Sequence, residues 1–324
     1  MRLLDEVSVP SAHRGYQWRD GLPHLPDRPG AYRWFYADAT VGEYSAVFIF
    51  MLGSLFSPRY SVGVSRGALP LGHSAVNFAL YRGGRRLCWV LSEYAHASVG
   101  MAGRELRIGR SRLVYTPEGR VSMEVDERCA PFGGQMRARL LLTPEAPAAE
   151  EVQLVPGVPH YWRALAPRSS ARLEVSTLGV DADGRGYHDT NHGAELLGSR
   201  LPGWHWARLH GPDETVVEYH LPGGVAPLRV TSGGGVTRAE RSPLHAGTRP
   251  SRLTGWGLRV PQHLSAGPTV RTEPHLIESS PFYARLEARR GGLDVMGEVA
   301  DFQRFHSPYI RWMAHFRTRV ERQA

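Results

Sequence analysis

The 324-residue chain contains no lysine and only two cysteines, Cys88 and Cys129. So few cysteines exclude the dense disulfide framework of a small secreted domain. All 39 basic residues are therefore arginines, and the formal charge is +8. They are scattered, with short clusters only at Arg85-Arg86 and Arg289-Arg290. Nucleic-acid binding wants a basic stripe interleaved with exposed aromatics, so no nucleic-acid partner is expected. A scattered basic surface fits anionic lipid headgroups better. Long apolar runs are also missing. The longest, residues 45–58 (SAVFIFMLGSLFSP), is shorter than the roughly 20 residues of a membrane-spanning helix. The N-terminal MRLLDEVSVP has no apolar core of signal-peptide length. The expectation is a cytoplasmic protein, soluble or resting peripherally on the inner face of the membrane. No G-x-S-x-G occurs, which removes the usual serine-hydrolase elbow. Gly223-Gly224 and Gly233-Gly234-Gly235 lack both the G-x-G-x-x-G spacing and a following helix, and read as loops.

What the chain does hold is turn residues and strand signals. Gly 36 and Pro 24 imply many turns. Residues 32–37 (YRWFYA), 46–52 (AVFIFML), 75–81 (AVNFALY) and 86–91 (RLCWVL) are short, aromatic or β-branched, and bounded by breakers. Residues 106–108, 113–115 and 121–125 read as a meander of hairpins. Residues 135–143 and 171–177 alternate like half-buried strands. A second set follows at 204–209, 216–221, 228–231, 253–260, 284–289 and 293–299, the last two joined across a Gly291-Gly292 turn. Helical periodicity is weak except at 308–322, where Ile310, Met313, Phe316 and Val320 sit at helical spacing. No strand–helix alternation supports a parallel α/β fold. The residues predict an all-β protein of two sheets or barrels in tandem, with a pocket. The composition shift at 193–203 sets the expected domains at 1–195 and 196–324.

Chemistry concentrates in residues 186–193 (GYHDTNHG), 203–206 (GWHW) and 218–220 (EYH). Zinc is one reading, with His188 and His192 four apart. That spacing serves a helix, which this segment forms poorly, so no metal is expected. A second reading is an acid in an aromatic pocket. A carboxyl such as Asp189, buried among rings, has its pKa raised by desolvation and can protonate an alkene. Trp204, Trp206, Tyr187 and Tyr219 can then face the cation with their π clouds. The plain alternative is a hydrogen-bonded corner between strands that satisfies backbone groups.

Several motifs in order resemble the carotenoid 1,2-hydratase (hydroxyneurosporene synthase) family. They are residues 29–39 (PGAYRWFYADA), 50–60 (FMLGSLFSPRY), 73–81 (HSAVNFALY), 106–113 (LRIGRSRL), 186–193, 281–283 (PFY) and 304–308 (RFHSP). The resemblance implies two tandem lipocalin-like β-barrels with a short C-terminal helix. It implies a cofactor-independent hydratase that adds water to the terminal C1–C2 double bond of an acyclic carotenoid. An acid protonates C2, a tertiary cation forms at C1, and water captures it. The implied partners are a long apolar isoprenoid or polyene and water.

The chain departs from the family pattern where it reads Glu218-Tyr219-His220. There the family carries an Asp after the Tyr, and that Asp is its favoured proton donor. The catalytic candidates are accordingly Asp189, Glu218, Tyr219 and His220, with His188 and His192 as tuning groups. Substrate-contact candidates are Trp204, Trp206, Tyr187, Asn191, Asp38, Phe56 and Asn77. Loss of that Asp keeps two other classes open. One is a lipocalin-like terpenoid or polyene cyclase or isomerase, Diels–Alderase type included, which mainly shapes its substrate. The other is a non-catalytic carrier of apolar ligands.

Overall fold

The computed structural model describes residues 27–130, 133–198, 200–221, 228–238, 251–262, 264–266 and 270–321. Among them strand is the main element. It begins with β1 (Tyr32–Val41), β2 (Tyr44–Leu52), β3 (Ser74–Arg82) and β4 (Arg85–Tyr94), an antiparallel run of hairpins. Gly83 and Gly84, both at positive φ, make the β3–β4 turn, where a two-residue loop needs left-handed backbone. Short strands follow: β5 (Val99–Ala102), β6 (Glu105–Ile108), β7 (Ser111–Tyr115), β8 (Val121–Arg128), β9 (Gln135–Pro144) and β10 (Val152–Gln153). Two long strands, β11 (His160–Val175) and β12 (Val180–Gly193), complete this part.

The chain then enters a second sheet with β13 (Gly203–His210), β14 (Thr215–His220), β15 (Leu228–Thr231) and β16 (Val236–Arg238). Two small hairpins come next, β17 (Ser251–Leu253) with β18 (Arg259–Pro261), and β19 (Leu264–Ala266) with β20 (Val270–Thr272). The second sheet closes with β21 (His275–Ser279), β22 (Tyr283–Arg290) and β23 (Leu293–Asp301). Helices α1 (Pro58–Gly63), α2 (Phe302–Phe305) and α3 (Pro308–Arg317), strand β24 (Arg319–Glu321) and four single 3-10 turns are the other described elements.

The first sheet runs β24-β4-β3-β2-β1-β12-β11-β9-β8-β7-β6-β5, with β10 on β11; the second runs β16-β15-β14-β13-β23-β22-β21. Both are curled half-barrels. The first folds over its own apolar face. Phe35, Phe48, Phe78 and Val90 pack there with Leu113, Met123, Leu140 and Leu173. Its other face bears Trp34, Tyr36, Ile49, Met51, Tyr187 and Trp162, and packs with Trp204, Trp206, Tyr219 and Met296 of the second sheet. Period-2 alternation thus gives one sheet two cores, and the core between the sheets carries the pocket.

Three readings change. Residues 186–193 are not a corner between strands but the end of β12, paired on both sides with β1 and β11. Residues 253–260 are not one strand; Thr254 and Gly257 (φ +69) turn the chain back between β17 and β18. The C-terminal helix stops at Arg317; Val320 lies in β24, which pairs in parallel with β4, and Phe316 is exposed whereas Ile310 is buried. Residues 45–52 lie in β2 and are buried, as a core strand should be. Gly233-Gly234-Gly235 lies in the β15–β16 turn, whereas Gly223-Gly224 lies outside the described residues. Cys88 and Cys129 are joined in a disulfide across 41 residues.

Candidate active site

The site begins with a register. Tyr36 on β1 stands opposite Asp189 on β12, and Trp34 opposite Asn191. On the other flank of β12, Ala164 and Trp162 of β11 stand opposite the same two residues. Directly paired residues share a face, so the odd positions Tyr187, Asp189 and Asn191 enter the inter-sheet core. On the second sheet Trp206 of β13 pairs with Tyr219 of β14 and with Glu298 of β23. Two faces of alternating residues therefore build one cavity. It has a volume of about 1290 Å³ including its open mouth. Its deep walls are Trp34, Tyr36, Asp189, Asn191, Trp204, Trp206 and Tyr219.

Asp189 is 3% exposed and sits in a cage of donors. Tyr187 OH donates to its Oδ2 at 2.7 Å, Trp162 Nε1–H donates to the same oxygen at 2.9 Å, and Asn191 Nδ2–H donates to Oδ1 at 3.3 Å. Burial penalises the carboxylate and pushes its pKa from 3.8 up to about 8, against the pull of the Tyr187 and Trp162 donors. Near neutral pH the group is a carboxylic acid. Rings close around it: Tyr36 and Tyr187 each lie 5.5 Å from Trp206, and Trp162 lies 4.9 Å edge-on to Tyr219. Trp34 stacks on Trp204 at 5.9 Å. Tyr219 OH reaches Asn191 Oδ1 at 3.5 Å. The indole N–H groups of Trp204 and Trp206 are buried without a protein acceptor.

The structure gathers most, but not all, of the residues singled out from the sequence. Asp189, Tyr219, Trp204, Trp206, Asn191, Phe56 and Asn77 line the cavity, and Tyr187 holds Asp189 from behind. Phe56 stands near Phe282 and Tyr283, and Asn77 Nδ2–H donates to the Val90 carbonyl at 2.5 Å. Glu218 and His220 occupy the opposite face of β14 from Tyr219, 3.3 Å from each other. His188 and His192 leave the other face of β12. His188 Nδ1–H donates to the Tyr36 carbonyl and Nε2 meets Tyr115 OH at 2.9 Å; burial depresses its pKa to about 4, so it is neutral. His192 bonds Glu151 and stacks on Tyr161. Four residues along a strand separate the two histidines by about 13 Å, too far to share a metal. Among the described residues no group of three or more His, Cys, Asp or Glu could hold a metal ion. Asp38 does not line the cavity; it pairs with Arg208.

Sequence reasoning missed a polar wall opposite Asp189. Arg285 on β22 donates to Glu298 Oε1 at 2.8 Å and to Tyr283 OH at 2.6 Å, and lies 4.0 Å from Glu278. These residues line the cavity; Tyr283 closes the PFY segment 281–283, whereas Glu278, Arg285 and Glu298 lie outside the motifs singled out from the sequence. Only the pairing of β13 with β23 and of β23 with β22 brings them there.

These features define a lipocalin-like all-β protein whose inter-sheet pocket is aromatic and holds the desolvated carboxyl of Asp189. Comparison then gives the family. The family model described as carotenoid hydratase CrtC matches residues 48–324. The acyclic carotenoid 1,2-hydratase of Thiocapsa roseopersicina is 33% identical over 302 residues, covering 89% of this chain and 73% of that protein. That of Rubrivivax gelatinosus is 32% identical over 303 residues, covering 86% and 70%. That of Rhodobacter capsulatus is 27% identical over 286 residues, covering 85% and 98%. The chain belongs to the carotenoid hydratase family and is a hydro-lyase. Among solved structures, a protein assigned as AttH from Nitrosomonas europaea superposes with a TM-score of 0.60 at 14% identity, covering 92% of this chain and 99% of that one. Kievitone hydratase from Nectria haematococca does so at 0.53 and 10% identity, covering 91% and 97%. These two are likenesses of fold.

Proposed function

We propose that the protein hydrates the terminal C1–C2 double bond of an acyclic carotenoid, with Asp189 as the proton donor and no cofactor. The observation that carries this reading is the carboxyl of Asp189, buried at an aromatic cavity wall and held by three donors, where desolvation pushes its pKa up to about 8. Oδ2 accepts two of those hydrogen bonds, which leaves the acidic proton to Oδ1. Transfer of that proton to C2 breaks the O–H bond, forms a C–H bond and puts positive charge on C1. The new carboxylate is stabilised by Tyr187, Trp162 and Asn191, so the same donors that tolerate the acid hold its conjugate base. Trp34, Trp204, Trp206 and Tyr36 present π faces to the cation. Water adds to C1 and returns one proton to Asp189, which restores the acid. The unpartnered indole N–H groups of Trp204 and Trp206 and the Tyr219 hydroxyl are the donors available to orient that water. Nothing is oxidised or reduced, so the step requires no redox partner.

The test is product mass in heavy-oxygen water, with acyclic carotenoid supplied in detergent. A product heavier by one labelled water is expected from the native chain. Asp189→Asn should keep its fold and lose turnover by about 10² to 10⁴-fold, the usual weight of a general acid. An isomer of unchanged mass would indicate a cyclase. Bound but unaltered carotenoid would indicate a carrier. A fully active Asp189→Asn variant would remove Asp189 from the mechanism.

A further inference from the structure

Helix α3 has two working faces. Ile310, Met313, Ala314 and Arg317 line the cavity mouth. Tyr309, Trp312 and Phe316 stand on the outer side, 65%, 60% and 63% exposed. Their spacing of three and four places them on one stripe, and the rings touch: Tyr309 stacks on Trp312 at 6.3 Å and Trp312 meets Phe316 edge-on at 4.9 Å. Water does not favour three clustered aromatic rings of this kind, and such a patch marks a docking surface. Other exposed apolar side chains lie on the cavity lining and on the α1 segment. Trp256 lines the cavity and is itself 46% exposed, and Val62 and Leu69, on and just beyond α1, are 45% and 51% exposed. Helix α1 packs against α3.

The two chain segments that carry α1 and α3 hold charge of one sign. Residues 44–92, which include α1, contain no Asp or Glu, and neither do residues 302–320, which span α2 and α3. Arg59, Arg66 and Arg317 are exposed within these segments. A second copy of the chain docked face to face about a two-fold axis would bring these arginines near one another with no acidic partner from the same segments. An anionic phospholipid surface meets both features at once. Aromatic rings settle at the headgroup level, and arginines pair with the phosphates.

We propose that the α1–α3 rim docks on anionic bilayers, with Tyr309, Trp312 and Phe316 inserted at the headgroup level and the cavity mouth opening onto the lipid. Its purpose rests on the carotenoid reading above, since such a substrate resides in the bilayer. The surface itself is tested without substrate. The full-length chain is sedimented with phosphatidylcholine vesicles containing or lacking one part in three, by rough choice, of phosphatidylglycerol. Binding is expected to the anionic vesicles, weakening as salt rises. Two variants probe it separately: Tyr309→Ser/Trp312→Ser/Phe316→Ser, and the charge reversal Arg59→Glu/Arg66→Glu. Each should keep the native thermal midpoint and lose about tenfold or more in vesicle affinity. Turnover of detergent-dispersed carotenoid by the triple serine variant should match the native chain, while turnover of vesicle-dissolved carotenoid falls. A native chain that stays in the supernatant with every vesicle overturns the proposal. So do variants that bind as well as the native chain, and so does a lipid-free native dimer that the serine variant converts to monomer. Absence of turnover in both media, with binding intact, would refute the hydratase reading and leave the docking surface standing.

Discussion

Asp189 carries two pH dependences of opposite use. Its acid form is the reactive one, so turnover should be level through neutral pH and fall about tenfold per unit above a pH of about 8. Stability runs differently. In the unfolded chain the carboxyl titrates near 3.8, and in the folded chain near about 8. Between those values the folded state holds a proton that the unfolded state has released. The contribution of Asp189 is therefore full below pH 3.8 and drains away as pH rises to about 8, at about 1.4 kcal/mol per unit. Asp189→Asn cannot ionise and lacks this slope. Relative to the native chain it should gain stability steadily from pH 4 to 8 and level off beyond. His188 runs the other way. Its folded pKa of about 4 lies below 6.5, so its contribution is present above 6.5 and lost as pH falls. Taking the variant-minus-native difference of unfolding free energies cancels the His188 contribution. A flat difference curve would show that Asp189 is an ordinary ionised carboxylate, and the proton-donor role would go with it.

At the scale of the element, the two faces of β14 divide the catalytic candidates. Tyr219 points into the cavity, 4.9 Å from Trp162, while Glu218 and His220 point away. Glu218→Gln should therefore leave turnover within about twofold, because a change on the far face of a strand does not reach the reacting atoms. Tyr219→Phe removes a hydroxyl beside Asn191 and should lower turnover about ten- to a hundredfold with little loss of stability. Initial rates on both variants, with thermal midpoints as the folding control, decide the matter; a dead Glu218→Gln would reverse the assignment. The same strands show what was legible beforehand. Runs such as YRWFYA and MRARLLL announce strands because short aromatic or alternating segments between breakers have few other uses. The end of β12 does not announce itself. Its residues are polar on both faces, since one face makes the acid cage and the other bonds Tyr115 and the Tyr36 carbonyl. Aromatic neighbours and a carboxylate marked Asp189 as chemical, yet its tethering to Trp162 depends on the β11–β12 register, which no local pattern encodes. Arg285, Glu278 and Glu298 were invisible for that reason. Ser57-Pro58 was a missed signal of a simpler kind: Ser57 Oγ caps α1 by accepting from Tyr60 N–H, with Pro58 at the first helical position.

The cavity exists only while two sheets stay in register with each other, so the groups that bridge them govern the site without touching substrate. Asp38 on β1, first read as a substrate contact, is such a group. Its Oδ1 lies 2.5 Å from Arg208 Nη2 on β13, and Arg208 Nη1 lies 2.7 Å from Asp294 Oδ2 on β23. The Arg208 and Asp38 side chains are wholly buried, and Tyr36 OH adds a hydrogen bond to Asp38 at 3.1 Å. Desolvation makes such a triad a poor source of net stability, but each partner becomes costly once another is removed. Arg208→Ala leaves Asp38 without its counter-charge between the sheets and should cost about 3–5 kcal/mol in denaturant unfolding. The paired change Arg208→Met/Asp38→Leu removes both buried charges and fills part of the space, so it should recover much of that loss. If registration of the sheets is what the triad contributes, the paired variant will unfold near the native midpoint yet turn over more slowly, because apolar packing does not fix Trp206 against Tyr36 as a directed ion pair does. Equal turnover in the paired variant would show that the rings alone hold the cavity, and unchanged stability in Arg208→Ala would remove the bridge from the architecture altogether.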